Sequence, residues 1–198
     1  MLANRAINSK LYYLENYATY DHRSYDKLVC SKFKEILGGR IRFMATGSAP
    51  ISTDVLNFLK VSFCCPLIEG YGQTESCAAS CITLPQDPVP GHVGGPVPAV
   101  KIRLRDIPEM GYSSNDTPFP RGEICFQGPS IFKGYFKNPE KNKEAVVDGW
   151  LHSGDVGVVM PNGSIRIIDR AKNIFKLAQG EYIAPEKLEN VYGLSPYI

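Results

Sequence analysis

The segment IRFMATGSAPISTDVLNFLKVSFCCPLIEGYGQTE, which runs from Ile41 to Glu75, carries the clearest fold signal of the chain. Its first five residues predict a short buried strand that leads into a turn of small residues at 46–50. Ser52 is a typical N-cap residue, and the apolar spacing after it predicts a helix. A second short strand near 66–69 then leads into a loop at 70–75. The order strand, turn, helix, strand predicts an α/β unit.

The two loops that follow these predicted strands are expected to share one crevice, because ligands of open α/β sheets bind at the carboxyl ends of the strands. The five residues from Tyr71 to Glu75 combine an aromatic ring, a flexible backbone, a hydroxyl and a carboxylate. Such a set can stack on a planar base, approach a phosphate and hold a hard cation such as Mg²⁺. A surface turn before a capped helix is the other interpretation of these residues.

The flanking regions predict further elements. The residues before Arg40 read as helical, with Ser24 as a candidate N-cap. After residue 98 the pattern changes to short strands, of which 100–104, 122–126 and 154–159 are the clearest. Asn162-Gly163 predicts a hairpin turn, because both residue types tolerate positive φ. Asn138 and Pro139 predict the start of a short helix, and Pro185 that of another.

Asp155 stands out because it directly follows Gly154 at the start of a predicted strand. A carboxylate at that position is poorly suited to packing, whereas its two oxygens can accept hydrogen bonds from the adjacent hydroxyls of a ribose. A solvated carboxylate at the beginning of a strand is the alternative.

Composition excludes several classes of function. The 198 residues include 22 Lys and Arg against 20 Asp and Glu, a net charge of +2, which gives no indication of a nucleic-acid partner. The hydrophobic share of 43% is typical of a globular chain. No run approaches the roughly 18 apolar residues of a membrane helix, and the first residues lack the pattern of a secretory signal. The six cysteines form no Cys-x-x-Cys pair, so a zinc site is not expected and buried reduced thiols are.

Four motifs in one order resemble those of the adenylate-forming, or AMP-binding, enzymes. They are TGSAP at 46–50, EGYGQTE at 69–75, WLHSGD at 150–155 and IDRAK at 168–172. The segments GHVG at 91–94, FKLAQGEYIAPE at 175–186 and LEN at 188–190 are similar to the long-chain fatty acyl-CoA synthetase branch. The resemblance implies an α/β fold: the back half of the large N-terminal domain with its β-rich subdomain at 1–168, and the hinge and start of the small C-terminal lid domain at 169–198.

The resemblance also implies roles for individual residues in binding ATP or AMP. Gly47, Ser48 and Ala49 would form the wall beside the adenine and the acyl carboxylate. Tyr71 would stack on the adenine, and Asp155 and Arg170 would contact the ribose. A second set would serve the reaction and its conformational change: Thr74 at the α-phosphate, Glu75 as the Mg²⁺ ligand, Lys172 at the hinge and Gly180 at the coenzyme A tunnel.

The implied activity is the ATP-dependent conversion of a long-chain fatty acid to acyl-CoA through acyl-AMP, with ATP, Mg²⁺ and coenzyme A. The implied location is the cytosolic face of the endoplasmic reticulum or another organelle membrane, with any anchor outside this chain. The family's phosphate loop and its adenylation lysine have no counterpart in these residues, so the chain alone is expected to be an inactive fragment. The alternatives are a non-catalytic adenylate-binding or interaction module, and a ligase for a different carboxylic acid.

Overall fold

The computed structural model of the chain describes residues 2–85, 87, 89–171, 173–177, 179, 182–183, 185–193 and 195. The residues divide into two compact units. The first unit combines the chain up to Gly70 with Thr83–Gly91, and the second combines Tyr71–Ile82 with the chain from His92 onward. The chain therefore passes from one unit to the other three times.

The first unit is mainly helical, as the sequence before Arg40 predicts. It contains α1 (Leu2–Tyr17), α2 (Arg23–Tyr25), a π-helical turn at Asp26–Cys30, α3 (Ser31–Ile36) and α4 (Thr53–Phe63). Ile7 and Leu14 of α1 are buried against Val61 of α4. The two α1 residues are seven positions apart and thus lie on one helix face, which becomes the core of the unit.

The N-cap predicted at Ser24 is wrong. Ser24 lies inside α2, and the cap is His22, whose Nδ1 accepts a hydrogen bond from the Tyr25 backbone N–H at 3.4 Å. The His22 and Tyr25 rings also contact each other, with centroids 4.4 Å apart. The imidazole therefore supplies the acceptor that a hydroxyl was expected to supply, and the helix begins earlier.

Two parallel strands of the first unit lead into the loops that the sequence predicts at 46–50 and 70–75. Strand β1 (Met44–Gly47) pairs with β2 (Leu67–Tyr71) from the Met44–Leu67 pair to the Gly47–Gly70 pair. The predicted strand begins earlier, at residue 41. The observed ladder starts later because Pro66, which precedes β2, has no N–H to continue it.

A buried lysine joins three elements of the first unit. Lys10 on α1 is fully buried, and its ammonium contacts the Asp26 carboxylate and lies 2.9 Å from the Cys64 sulfur. Burial lowers the pKa of Lys10, but the hydrogen bonds to Asp26 and Cys64 outweigh this effect and leave its pKa raised. The ammonium is therefore charged inside the unit and depends on Asp26 as its partner.

The second unit is built on an antiparallel sheet. Strands β5 (Lys101–Arg105), β6 (Arg121–Gln127), β8 (Trp150–Val159) and β7 (Val146–Val147) are neighbours in that order, and β9 (Ile165–Arg170) also pairs with β8. Its core includes Ile124, Phe126 and Leu151. The remaining elements are β3 (Cys81–Ile82) paired with β4 (Gly95–Pro96), β10 (Phe175–Lys176) paired with β11 (Tyr182–Ile183), α5 (Pro139–Ala145) and α6 (Pro185–Tyr192).

The sequence predicts that Asp155 lies at the start of a strand. In the structure it lies in the middle of β8, which begins at Trp150. The residues of the WLHSGD motif therefore belong to the sheet. Trp150 and Leu151 pair with β7, and His152 faces Cys125 of β6. Strand β6 lies far from β8 in sequence, and β7 is too short to predict. The local sequence pattern therefore indicated only the end of β8.

Several local predictions are confirmed. The Ser52 side chain accepts a hydrogen bond from the Val55 N–H and begins α4, and Asn138 does the same for the Lys141 N–H in α5. Asn162-Gly163 joins β8 to β9 in the predicted hairpin. Only Gly163 takes positive φ (81°), while the Asn162 side chain accepts hydrogen bonds from Ser164.

None of the helices in the described part of the chain combines the length and hydropathy that crossing a membrane requires. The burial predicted for the thiols is observed at Cys30, Cys65, Cys81 and Cys125, whereas Cys77 is exposed. Replacing any of these four buried residues would disturb packing, because interiors tolerate little change in volume.

Substitution Lys10→Ala is expected to destabilise the first unit by about 3 kcal/mol, because it leaves the Asp26 carboxylate without its ion-pair partner. Asp26 keeps some contact with water, which holds the effect near the lower end of the range for a broken buried pair. Urea unfolding of the chain measures the change. Arg5→Ala is the matched control, since Arg5 is an exposed cation on the same helix. Equal unfolding midpoints for the two variants would contradict the prediction.

Candidate functional site

The loop after β2 has a shape that only glycine permits at its first position, Gly72. A Cβ atom on Gly72 would lie 1.8 Å from the Ala78 carbonyl oxygen and 2.8 Å from the Ser80 nitrogen. The backbone therefore folds tightly on itself between Tyr71 and Ser80, and the Ser80 N–H donates to the Tyr71 carbonyl at 2.7 Å. A short 3-10 turn at Thr74–Ser76 follows. This turn holds Thr74 exposed and Glu75 half-buried.

The structure brings together Tyr71, Asp155 and Arg170, three of the residues singled out from the sequence. The Tyr71 hydroxyl donates to Asp155 Oδ2 at 2.7 Å, and Arg170 Nε lies 3.4 Å from Asp155 Oδ1. Arg170 reaches Asp155 because the two residues are directly paired across β8 and β9. The Tyr71 ring lies against Phe126 of the core, with centroids 5.8 Å apart. The carboxylate is therefore held from both sides.

The electrostatics of this group follow from its burial. Asp155 is only 8% exposed. Burial raises the pKa of Asp155, the Tyr71 hydrogen bond and the Arg170 guanidinium partly offset that effect, and the carboxylates of Asp169 and Glu123 add to it. Burial also raises the pKa of the Tyr71 hydroxyl, and the nearby Asp155 carboxylate raises it further. Tyr71 therefore remains a proton donor at any physiological pH.

Glu75 is held by a residue that the sequence did not indicate. The Tyr135 hydroxyl donates to Glu75 Oε1 at 2.6 Å, and the Phe132 backbone N–H donates to the Glu75 carbonyl at 2.8 Å. The hydrogen bond to Glu75, together with partial burial, raises the pKa of Tyr135. The segment between β6 and α5 therefore fixes Glu75 through both its backbone and its side chain.

The surroundings of Glu75 fit a magnesium ion that is shared with a substrate. Its carboxylate keeps free lone pairs after accepting from Tyr135, and the Thr74 hydroxyl is exposed beside it. Among the described residues, no cluster of three acidic, His or Cys ligands includes Glu75. A single carboxylate completed by water and phosphate oxygens is a common way for proteins to hold Mg²⁺.

The remaining predicted residues belong to the first unit or lie outside the described residues. Gly47, Ser48 and Ala49 lie in the first unit, at the end of β1, and are exposed there. A Cβ on Gly47 would lie 2.8 Å from the Gly70 carbonyl oxygen, so the neighbouring strand itself requires glycine. Lys172, the predicted hinge, and Gly180, the predicted tunnel residue, lie outside the described residues.

Sequence reasoning missed Glu123 as well as Tyr135. Glu123 is 5% exposed in β6, and its carboxylate contacts His152, Arg105 and the Gly154 backbone N–H. The signal was available, because Glu123 is the one acidic residue within the apolar run of residues 122–126. A charge in such a run is rarely buried without a specific partner.

Substitution Asp155→Asn is expected to raise the thermal stability of the chain at pH 7. The folded-state pKa of Asp155 is raised, so its contribution to stability is present below the unfolded-state pKa and is lost as the pH rises through the folded-state pKa. The ionised group thus lowers stability at neutral pH, and an uncharged isostere removes that effect. Thermal unfolding followed by circular dichroism measures the difference.

The control substitution is expected to change the melting temperature in the opposite direction. The Ser114 backbone N–H lowers the pKa of Asp106, so this carboxylate stabilises the fold above its unfolded-state pKa and stops doing so as the pH falls through its folded-state pKa. Asp106→Asn is therefore expected to lower the melting temperature at pH 7. A lower melting temperature for Asp155→Asn as well would contradict the assignment of Asp155 as a destabilising buried charge.

Curated proteins with similar sequences are long-chain acyl-CoA synthetases. The peroxisomal long chain acyl-CoA synthetase 7 of Arabidopsis thaliana is 58% identical over 170 residues, which are 85% of this chain and 24% of that protein. Long-chain-fatty-acid--CoA ligase 5 of Rattus norvegicus is 52% identical over 195 residues, which are 98% of this chain and 28% of that protein. The chain thus spans about a quarter of the length of these relatives.

Solved structures with similar folds are adenylate-forming enzymes. The A domain of the carboxylic acid reductase of Segniliparus rugosus, in complex with AMP and a carboxylic acid, has a TM-score of 0.72 at 32% identity. The match covers 98% of this chain and 30% of that one. The O-succinylbenzoate coenzyme A synthetase of Bacillus subtilis with ATP and magnesium has a TM-score of 0.68 at 28% identity; the match covers 78% of this chain and 31% of that one.

The sequence pattern of the family described as AMP-binding enzyme matches residues 7–136. The matched region includes both loops of small and polar residues and ends just after Tyr135, which holds Glu75. The described fold is a mixture of helices and sheets that is consistent with a portion of the adenylate-forming fold. The chain therefore belongs to the family of AMP-binding enzymes.

Proposed function

We propose that the whole protein to which this sequence belongs activates long-chain fatty acids to acyl-CoA. In the first half-reaction the fatty acid carboxylate attacks the α-phosphate of ATP, giving acyl-AMP and pyrophosphate. In the second, the thiol of coenzyme A displaces AMP and loses its proton. The observation that carries the proposal is the buried Asp155 carboxylate between Tyr71 and Arg170, in a chain that is 52–58% identical to long-chain acyl-CoA synthetases.

Asp155 would bind the ribose of ATP and of the adenylate. A carboxylate has about four lone-pair sites. Tyr71 and Arg170 use one on each oxygen, so each oxygen keeps capacity for a hydroxyl of the sugar. Arg170 is 60% exposed on its side chain and can turn toward the ribose as well. The low exposure of Asp155 strengthens these hydrogen bonds, because water competes less for the carboxylate.

Tyr71 would have two tasks. Its hydroxyl orients the Asp155 carboxylate, and its half-buried ring would offer one face to the adenine while the other packs toward Phe126. Offset contact between an aromatic ring and a planar base is favourable without any specific hydrogen bond. Gly47, Ser48 and Ala49 would form a wall beside the adenine and the acyl carboxylate, where small side chains leave room for the ligand; this role rests on the motif alone.

Thr74 and Glu75 would act at the phosphates. The exposed Thr74 hydroxyl can donate to an α-phosphate oxygen, and the Glu75 carboxylate, oriented by Tyr135, would bind Mg²⁺. When bound, the magnesium ion would neutralise charge on the phosphates as the bond to pyrophosphate breaks. Lys172 would serve as the hinge of the lid, and Gly180 would line the path of coenzyme A. These two roles rest on the motifs alone.

The names of the relatives are the only support for a location of the whole protein. Two of the Arabidopsis relatives are named as peroxisomal. We therefore propose an organelle membrane, either the endoplasmic reticulum or another organelle, with the active site on the cytosolic face. Fractionation of cells that express the whole protein would test this, and recovery in the soluble fraction would contradict it.

Activity is best tested in a chimera in which this sequence replaces the matching segment of the rat ligase, since the chain covers only 28% of that protein. The chimera is expected to release pyrophosphate from ATP in the presence of palmitate and to form palmitoyl-CoA. Thioester formation with long-chain, medium-chain and aromatic acids distinguishes the ligase classes. A preference for aromatic acids would contradict the long-chain assignment, while nucleotide binding without turnover would favour a non-catalytic adenylate-binding module.

In the chimera, Asp155→Ala is expected to lower kcat/KM for ATP at least about tenfold, because hydrogen bonds to charged groups contribute about 1.5–3 kcal/mol each. Asp148→Ala is the control, since Asp148 is an exposed carboxylate near the same strand. Pyrophosphate release measures both. An unchanged kcat/KM for Asp155→Ala would exclude Asp155 from the ribose site.

Glu75→Gln is expected to lower kcat by about 100-fold, the cost of removing one preorganised group that stabilises transition-state charge. Tyr135→Phe should give a smaller decrease, because it removes only the hydrogen bond that orients Glu75. Raising the magnesium concentration should restore part of the activity of Glu75→Gln. Failure of Glu75→Gln to change kcat would contradict the metal assignment.

A further inference from the structure

Glu123 is a buried carboxylate that satisfies three donors at once. Arg105 Nε donates at 2.7 Å and His152 Nδ1 at 2.9 Å to Oε2, and the Gly154 backbone N–H donates at 3.0 Å to Oε1. An ionised carboxylate only accepts hydrogen bonds, so His152 carries its proton on Nδ1. Glu123 lies on β6, and two of its donors, His152 and Gly154, lie on β8 just before Asp155.

The β6–β8 ladder is irregular at this point. Glu123 is opposite Val156, but Cys125 is opposite His152, so Ile124 alone faces Ser153, Gly154 and Asp155. Extra residues of this kind form a bulge, which leaves backbone groups without ladder partners and redirects a side chain. The bulge of β8 is thus the feature that presents Asp155.

Side chains and a neighbouring turn satisfy the backbone of the bulge. The Gly154 N–H donates to Glu123, the Gly154 carbonyl accepts from the Ala171 N–H at 2.8 Å, and the Asp155 N–H donates to Ser153 Oγ at 3.0 Å. Gly154 has φ of +74°, a conformation that glycine adopts without strain. Of these three hydrogen bonds, only the one from the Gly154 N–H to Glu123 connects the bulge to β6.

We infer that Glu123 is a positioning residue of the nucleotide site: through the Gly154 N–H it holds the bulge that aims the Asp155 carboxylate at the two ribose hydroxyls. The inference rests on the proposed function, because it assigns the source of ribose recognition within that site. Glu123 itself does not touch the nucleotide. Its effect is confined to the part of the affinity that depends on the hydroxyls.

A metal site is a less suitable assignment for the same residues. Ligand atoms of Glu123, Cys125 and His152 lie within 4.8 Å of one another. Burial and the nearby Glu123 carboxylate raise the pKa of the Cys125 thiol to about 11, whereas metal binding needs the thiolate. The Arg105 guanidinium already balances the charge of Glu123. The Glu123 carboxylate is therefore already occupied by three donors, while His152 Nε2 is buried without a hydrogen-bond partner among the described residues.

The first test measures the geometry without any nucleotide. Amide hydrogen exchange of Gly154 is followed by NMR in this chain for the wild type and for Glu123→Ala. Exchange is expected to accelerate about tenfold or more in the variant, because the amide loses its acceptor. Asp116→Ala is the matched control: Asp116 also pairs with an arginine, Arg121, and accepts a backbone N–H, that of Ser113. It should leave Gly154 unchanged.

The second test measures ribose recognition in the rat-ligase chimera. Calorimetry compares AMP with 2′,3′-dideoxy-AMP, which lacks both hydroxyls. The wild type is expected to prefer AMP about tenfold or more, and Glu123→Ala is expected to lose most of that preference while keeping its affinity for the dideoxy nucleotide. The isosteric Glu123→Gln should retain an intermediate preference, because its amide offers one acceptor oxygen where the carboxylate offers two. The Glu123→Gln variant also keeps the test possible if the Glu123→Ala variant does not fold.

The outcomes separate this inference from the proposed function. A wild type that binds both nucleotides equally overturns the ribose role of Asp155 and the inference with it. A wild type that prefers AMP, together with Glu123 variants that keep the preference and the slow Gly154 exchange, overturns the inference alone. If the variants lost affinity for both nucleotides equally, Glu123 would have a general structural role. That result would also overturn the inference.

Discussion

The candidate site of the second unit is arranged around a carboxylate that is kept out of water. Asp155 is 8% exposed, and a charge at that depth is tolerated only with close partners. The Tyr71 hydroxyl and the Arg170 guanidinium provide them, one on each oxygen. The burial that raises the pKa of Asp155 also makes its hydrogen bonds stronger than they would be in water. We therefore expect the ionised Asp155 to lower the free energy of unfolding at neutral pH.

Glycines and buried side chains hold this arrangement through the backbone. Gly72 lets the loop after β2 fold against residues 78–80, and Gly154 gives β8 the positive φ of its bulge. Glu123 then connects the bulge to β6. Glu75 is fixed in the same manner, by a backbone hydrogen bond from Phe132 and a hydroxyl from Tyr135. Asp155 and Glu75 are thus both oriented by residues that are distant in sequence.

Elements with a local cause could be predicted from the sequence. Ser52 and Asn138 cap the helices that follow them, and Asn162-Gly163 joins two strands, because these preferences act over two or three residues. The prediction at Ser24 was wrong because a histidine can also supply the acceptor and its ring packs on Tyr25. The start of β8 was missed because strand length depends on partners elsewhere in the chain.

The sequence by itself determined the α/β character of the chain, its family and the residue types of the site, because the motifs at 46–50, 69–75, 150–155 and 168–172 are contiguous. Only the tertiary structure decided how those residues act together. Tyr71 and Asp155 are 84 positions apart, Glu75 and Tyr135 are 60 apart, and Glu123 and Gly154 are 31 apart. Hydrogen bonds over such separations exist only when the tertiary fold brings the partners within about 3 Å, and no local pattern records that proximity.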